Sequence, residues 1–454
     1  MSAPLVVPLL DEGLGNTSYL VDLGEGRALV VDASVDLRSV RTATGRAGLN
    51  VAYAGDTHLH ADFLSGARQL ATTDGATVLA SASGNRQFPH TGLVDGQEVD
   101  LGGLRLTALV TPGHTMEHVS FLLSDGERPL GVFTGGSLMV GAAARTDLVD
   151  PDRTVELARA QYQSLQRLMS LPDDVEVWPT HGAGSFCSAP PGAERTSTIG
   201  RERATNPLLQ AGGEDEFVQR LLGSLGTFPE YFLRLPEINR RGPRLYGAAP
   251  LPPAVSVSQV EALRESGAQL IDVRPVPDYA SGHLTGAVSI PLRGAFATWL
   301  GWVVSPDRPV VIVRGTEQDP TEIAWQAAKV GYENLVGELT SLPEDWVAAG
   351  LPVSAIALLQ PEDVEGRSVL DVRQFSEFAA GHLPGAVNIE LGVLSRSTAG
   401  LSGQAVVVMC GHGERAATAA SVLERAGVSN VTILSGGPQD WADARGGRAL
   451  QVDA

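Results

Sequence analysis

The 454-residue chain is too long for one hydrophobic core and suits three domains. A formal charge of -19, with Lys329 the sole lysine, disfavours nucleic acid and anionic membrane surfaces as partners. Two cysteines, Cys187 and Cys410, exclude a disulfide framework; with no signal-peptide pattern and no apolar run of bilayer length, a soluble cytoplasmic protein is expected.

Apolar runs separated by glycine and aspartate open the chain: Leu5 to Leu10, Ser18 to Asp22 and Ala28 to Asp32 read as a β-meander. Later runs, Leu104 to Val110, Val119 to Leu123, Leu130 to Thr134 and Val175 to Trp178, each lead into a polar loop, where a site would sit. Thr154 to Ser170 carries Leu157, Leu165, Leu168 and Met169 at helical spacing, which predicts an amphipathic helix covering a sheet. An αββα sandwich over residues 1–242 follows. Within it, Thr57-His58-Leu59-His60-Ala61-Asp62-Phe63 sets two histidines and an aspartate on one tight loop at a strand end, three candidate metal ligands. The same residue types also suit a buried hydrogen-bonded network without metal. Cys187 fits a reactive thiol or a small packed side chain.

Four loops resemble the metallo-β-lactamase superfamily: Thr57 to Gly66, Thr111-Pro112-Gly113-His114, Thr134-Gly135-Gly136-Ser137 and Pro179-Thr180-His181-Gly182. Ser185-Phe186-Cys187, Ser197 to Pro207 and Tyr231 to Pro243 are similar to its persulfide dioxygenases, especially those fused to rhodanese domains. The resemblance implies a mononuclear iron on the first histidine of an H-x-H-x-D loop, the histidine of P-G-H and the aspartate of T-G-D. The first two fall on His58 and His114; the third falls on Gly136, and Phe63 replaces a further histidine of the superfamily loop. Two histidines and a carboxylate suit ferrous iron because the carboxylate anchors and neutralises the cation. Without it the expectation is a degenerate site: Fe(II) or Zn(II) on His58 and His114, His60 joining as a third histidine, or no metal. Phe63 and Gly136 also remove two positions of a second metal site, which disfavours a dinuclear hydrolase although Asp62 and His181 are kept.

Gly, Ala and Pro are frequent between Arg241 and Ala254, so residues 243–254 read as a linker. Ser258, three residues before Glu261, reads as a capping box opening a helix that ends near Gly267. Two stretches then repeat about a hundred residues apart: Ile271-Asp272-Val273-Arg274 through Gly282-His283 to Val288, and Leu370-Asp371-Val372-Arg373 through Gly381-His382 to Val387. Val310 to Val313 pairs with Val406 to Met409, and Asp345-Trp346 with Asp440-Trp441. Strands alternating with helical segments such as Thr321 to Val330 and Ala416 to Ala426 predict parallel α/β sheets. The repeat resembles two rhodanese-like domains, residues 255–352 and 353–454.

In the second copy the strand Val406 to Met409 runs into Cys410-Gly411-His412-Gly413-Glu414-Arg415 and then a helix. A thiol at a strand end, on a loop entering a helix N-terminus, faces backbone N–H groups that favour the anionic sulfur and cradle a persulfide, with Arg415 adding charge if it turns inward. What rhodaneses imply is attack by Cys410 on a sulfane sulfur, then transfer to a second nucleophile. Four residues separate Cys410 from Arg415, one fewer than in rhodanese-like phosphatases and arsenate reductases, which favours sulfur over phosphate. His412 is a candidate for tuning Cys410 or contacting the acceptor. In the first copy Arg314 occupies the cysteine position, so that copy is read as structural; His283 and His382 recur in both copies and are read as structural too.

The leading expectation is a rhodanese-type sulfurtransferase of persulfide or thiosulfate metabolism, attached to a lactamase-like domain with a degenerate metal site. Its alternatives are an iron-dependent persulfide dioxygenase producing sulfite, and a sulfur-relay scaffold without turnover. Expected partners are a small-molecule persulfide, thiosulfate or low-molecular-weight thiol, not nucleic acid or membrane, with a homodimer left open.

Overall fold

The computed structural model describes residues 6–186, 194–401 and 405–453; Cys187 lies outside them. The chain forms two compact units, Met1–Ala248 with Trp325–Gly331, and Ala249–Ala324 with Tyr332–Ala454. Among the described residues no helix is long and apolar enough to cross a membrane.

In the first unit one sheet contains β1 (Val6–Asp11), β2 (Asn16–Gly24), β3 (Arg27–Val31), β4 (Asn50–Asp56), β5 (Thr77–Ser81) and β6 (Thr91–Leu93), in sequence order. The second contains β7 (Glu98–Asp100), β8 (Leu104–Val110), β9 (Val119–Asp125), β10 (Arg128–Gly135), β11 (Glu176–Pro179) and β12 (Ser197–Thr198), in reverse order. β1 to β3 are antiparallel neighbours, the expected meander, and β4 to β6 join in parallel.

The alternation of side chains along each strand makes the layers. Tyr19, Val21, Leu29 and Val31 pack inward with Leu106, Phe121, Phe133 and Trp178 between the sheets. Their neighbours Leu20, Ala28 and Val30 face the other way, onto Val40 and Leu70 from the helices Arg38–Ala47 and Ala67–Asp74. On the outer side of the second sheet, Val132 and Val177 meet Leu165 and Leu168 of the helix Thr154–Leu168, and Phe217 and Leu221 of the helix Glu214–Gly223. Both sheets are buried on both faces, which is the αββα sandwich read from the sequence.

The second unit holds both α/β copies apart from Trp325–Gly331. The first copy's sheet contains β13 (Gln269–Asp272), β15 (Val288–Ser289), β16 (Val310–Val313) and β17 (Leu335–Leu339), all parallel, while β14 (His283–Leu284) pairs antiparallel with β18 (Val353–Ser354). The second copy's sheet runs in the order β19 (Ala357–Leu359), β23 (Val431–Leu434), β22 (Val406–Met409), β20 (Val369–Asp371) and β21 (Val387–Asn388), again parallel. The helix expected to start at Ser258 starts earlier. Ser256 caps it, its hydroxyl accepting from Gln259 N while Gln259 Oε1 receives the Ser256 N–H at 2.8 Å. An extended Ser256 with glutamine three residues on satisfies the same pattern two residues upstream, and this pair closes the box in both directions.

The repeated Asp-Val-Arg and Gly-His stretches form a buried staple. Asp371 binds Arg373 through both carboxylate oxygens, at 3.0 Å and 2.7 Å, and Arg373 reaches the Gly381 carbonyl at 2.8 Å. Asp272, Arg274 and Gly282 make the same contacts in the first copy. The following histidine donates through Nδ1 to the carbonyl four residues back, Tyr279 for His283 and Phe378 for His382, and stacks on that residue's ring. Removing one member of a buried ion pair strands the other charge, at a cost of about 3–5 kcal/mol. Arg373→Met is therefore expected to lower the unfolding free energy of the second unit by about 3 kcal/mol or more, measured as an earlier urea transition; an unchanged transition would refute the staple.

Candidate functional site

The first candidate site lies on the loops after β3, β4, β8, β10 and β11, all but the first of them singled out in the sequence. Asp32, just past β3, is fully buried and takes a left-handed backbone angle, φ 54°. Its carboxylate accepts from Thr57 N at 2.8 Å, Thr57 Oγ1 at 2.7 Å, His60 Nε2 at 3.1 Å and the hydroxyl of Thr180. Burial by itself would raise its pKa, but His60 and these hydrogen bonds hold it below the ordinary carboxylate value. The sequence reading passed over Asp32 as the end of an apolar strand. Its only signal was a charge closing the run Ala28 to Val31.

Five histidines gather beneath these loops: His58, His60, His114, His118 and His181 are each 1% exposed or less. His58 Nδ1 sits 2.9 Å from Thr57 Oγ1, and His181 Nδ1 sits 3.0 Å from Asn16 Oδ1. Asn16 in turn donates to Asp62 Oδ2 at 2.7 Å. Burial pushes the Asp62 carboxyl up, but His181, His60 and Asn16 outweigh it and hold the group at about 2. Burial first, and then the neighbouring imidazoles, hold His58 and His118 well below the usual histidine value, which keeps both rings neutral near pH 7. One ligand nitrogen each from His58, His60 and His181 lies within 4.8 Å of the others, and the His58 and His181 Nε2 atoms are 3.3 Å apart.

The expected ligand pair His58 and His114 is adjacent, with ring centroids 4.8 Å apart, but His114 falls outside this closest group. Its Nδ1 donates to the Arg145 carbonyl at 2.7 Å. Gly136 accounts for the ring's position, because a Cβ there would lie 2.4 Å from His114 Cδ2. The imidazole fills the space an aspartate side chain would enter. Phe63 is buried and stacks on His60 at 4.1 Å, so it packs the ring where the superfamily loop has a further histidine. Asn239 ties the loop down, donating to the His60 and Phe63 carbonyls at 2.7 Å and 2.9 Å. The mononuclear iron set of two histidines and a carboxylate does not fit these residues: its anionic position is a glycine, and a side chain added there would strike a histidine of the set.

The second candidate site is in the second unit. Cys410 follows β22, is 1% exposed, and its Sγ accepts the Gly413 N–H at 3.1 Å. Gly413 has φ 102° and caps the helix Glu414–Arg425, so the loop folds back over the sulfur before the helix begins. Arg415 binds Glu377 through both nitrogens at 2.6 Å and 2.9 Å, so an acidic partner holds the charge that the sequence left to turn inward.

Gly437 was missed. A Cβ on it would lie 2.3 Å from the Gly411 carbonyl oxygen and 3.0 Å from that of Cys410, so the chain after β23 presses on the sulfur loop at this point. Gly437 precedes the helix Pro438–Ala444 and donates its N–H to Asp440 Oδ2 at 2.8 Å. In the first copy the same place before the helix Pro343–Ala348 belongs to Leu342, which donates to Asp345 Oδ2 at 3.1 Å. The glycine accompanies the cysteine, and a leucine accompanies Arg314. The signal was legible as Gly436-Gly437-Pro438 against Ser341-Leu342-Pro343. Arg314 itself is held by Glu338 Oε1 at 2.6 Å.

A cavity of about 380 Å³ opens beside the sulfur loop, lined by His412, Gly413 and Glu414 and, from the first copy, by Val276, Arg293 and Gln318 among others. The copy without a cysteine thus supplies part of the wall.

Residues 11–181 match the Metallo-beta-lactamase superfamily, and residues 256–349 and 354–444 each match the Rhodanese-like domain. The mitochondrial persulfide dioxygenase ETHE1 of Homo sapiens is 30% identical over 229 residues, 49% of this chain and 82% of the human protein. A hydroxyacylglutathione hydrolase of Ruegeria pomeroyi is 29% identical over 252 residues, 50% of this chain and 92% of its own. The crystal structure of a metallo-beta-lactamase from Staphylococcus aureus superposes with a TM-score of 0.67 at 28% identity, covering 75% of this chain and 100% of that one. The chain belongs to the metallo-β-lactamase superfamily, with persulfide dioxygenases among its homologues, and carries two rhodanese-like domains after the lactamase fold.

Proposed function

We propose that the protein is a rhodanese-type sulfurtransferase acting on a small persulfide or thiosulfate, with Cys410 as the sulfur carrier. The observation that carries this reading is the Cys410 sulfur lying under the Gly413 N–H, on a loop that borders an open cavity. In the first half-reaction the Cys410 thiolate attacks the outer sulfur of the donor. A Cys410 Sγ–S bond forms, the donor's S–S bond breaks, and sulfite or a thiolate leaves with the electron pair. In the second, an acceptor thiolate attacks the outer sulfur of the cysteine persulfide, takes it as a new persulfide, and returns Cys410 as thiolate.

The backbone N–H groups of the loop and the helix N-terminus offset negative charge on the carried sulfur. Arg415 orients this end of the helix through Glu377. His412 and Glu414 border the cavity where the acceptor arrives, and the apolar and proline residues around it suit a low-molecular-weight thiol. The lactamase-like unit, in this reading, does not supply the transfer chemistry.

A second reading, persulfide dioxygenation to sulfite, is favoured by the human relative. The glycine at 136 speaks against iron held as the resemblance implies.

Cys410→Ala is expected to reduce thiosulfate:cyanide sulfur transfer to the uncatalysed background; retained transfer would remove Cys410 from the mechanism. The dioxygenase reading instead expects oxygen uptake with glutathione persulfide that survives Cys410→Ala. Gly437→Ala should lower the transfer rate at least about tenfold, because a methyl driven into the Gly411 carbonyl disturbs a geometry that catalysis needs to within fractions of an ångström. The control Leu342→Gly should leave the rate within about twofold of the parent.

A further inference from the structure

The cavity beside the sulfur loop is walled mostly by the copy that has no thiol. Val276, Pro277 and Pro291 of the first copy give it an apolar side, and Arg293 and Gln318 give that side its polar groups. Arg314 stands in the cysteine position, so Gln318, four residues on, corresponds to Glu414, four residues after Cys410. Both line the cavity, so the loop that lost its sulfur and the loop that keeps it border the same space from equivalent positions. The first of these loops is tied in place. Arg314 binds Glu338 Oε1 at 2.6 Å and the Gly315 carbonyl at 2.9 Å, and Gln318 Oε1 accepts the Gly315 N–H at 2.7 Å. With its oxygen committed, Gln318 offers NH2 hydrogens to anything else it meets.

Arg293 lies beyond β15, and its carbonyl accepts the Phe296 N–H at 2.9 Å where the helix Phe296–Val303 begins. Among the described lining residues Arg293 is the one guanidinium and Glu414 the one carboxylate. A guanidinium carries five N–H donors in a planar fork that matches a carboxylate, so it binds one while keeping other contacts. The two charges belong to different copies. Glu414, beside the sulfur loop, repels an acid group, whereas Arg293 and the Gln318 NH2 attract one to the first copy's wall. A thiol that places its acid there leaves its sulfur end toward the Cys410 loop. About 380 Å³ is at the small end of ligand cavities, which suits a small organic thiol.

We infer that Arg293 and Gln318 of the copy without a cysteine form a carboxylate subsite for the acceptor, so that the sulfur carried by Cys410 passes preferentially to a small thiol bearing a carboxylate. The subsite rests on the sulfur-transfer reading and gives it an acceptor class. In the step itself the acceptor thiolate attacks the outer sulfur of the Cys410 persulfide and a new S–S bond forms. The bond from that sulfur to Cys410 Sγ breaks, and its electron pair returns Cys410 as thiolate. Arg293 and Gln318 take no part in this exchange; they hold the far end of the acceptor, and their contribution is read in KM.

The test is steady-state transfer by the full chain from thiosulfate to 3-mercaptopropionate and to 2-mercaptoethanol, a neutral thiol of similar size, with cyanide as an acceptor that is not a thiol. In the parent the KM for the acid should lie at least about tenfold below that for the neutral thiol. Arg293→Gln should raise the acid KM at least about tenfold more than the neutral one, with the change in KM rather than kcat. Gln318→Leu should raise the acid KM about threefold. Arg293→Glu should turn the preference toward the cationic thiol cysteamine. Equal KM values for the two thiols in the parent would overturn the inference, a measurement that needs no variant to fold. So would equal losses toward both thiols in Arg293→Gln, or a rise in the thiosulfate KM alone, which assigns the guanidinium to the donor's sulfonate. A parent inactive toward cyanide fails the sulfur-transfer reading itself, and the subsite falls with it. A parent active toward cyanide but indifferent to the acid keeps that reading and loses the subsite.

Discussion

One buried carboxylate organises the first unit. Asp32 receives Thr57 from the end of β4, His60 from the loop beyond it and Thr180 from the end of β11, so it ties the two sheets together at the edge where the site lies. A fully buried charge is expensive unless its oxygens are filled, and here they are. The left-handed backbone at this residue is tolerated because so many contacts determine it at once. Through Thr57 and His60, the same group decides which nitrogen of two imidazoles carries hydrogen.

The architecture was legible because it rests on period. Tyr19 and Val21 against Leu20, and Val31 against Val30, announce sheets covered on both sides, and the helices that cover them follow from spacing alone. The recurrence of Asp-Val-Arg and Gly-His announced a repeated domain. The Ser256 cap was misplaced because two serines two residues apart both begin an acceptable box, and only the backbone angle distinguishes them.

The candidate sites were legible by residue type and not by placement. The sequence pointed to His58, His60 and His114 but could not show that His114 lies in the space beside Gly136, or that the Nε2 atoms of His58 and His181 come to 3.3 Å. The first depends on a missing side chain, and a string of letters carries no volumes. The roles of Asp32 and Gly437 were missed for a related reason. Each matters through what approaches it from a distant part of the chain, Thr180 in one case and the Gly411 carbonyl in the other.

The staple of aspartate, arginine, glycine and histidine sits in both rhodanese-like copies with the same contacts, although only one copy retains a thiol. What keeps such a module folded is thus separable from what makes it reactive. A copy released from chemistry can exchange its nucleophile for arginine, and its yielding glycine for leucine, without unfolding. It then survives as architecture, lending a wall to the cavity beside its twin's sulfur loop.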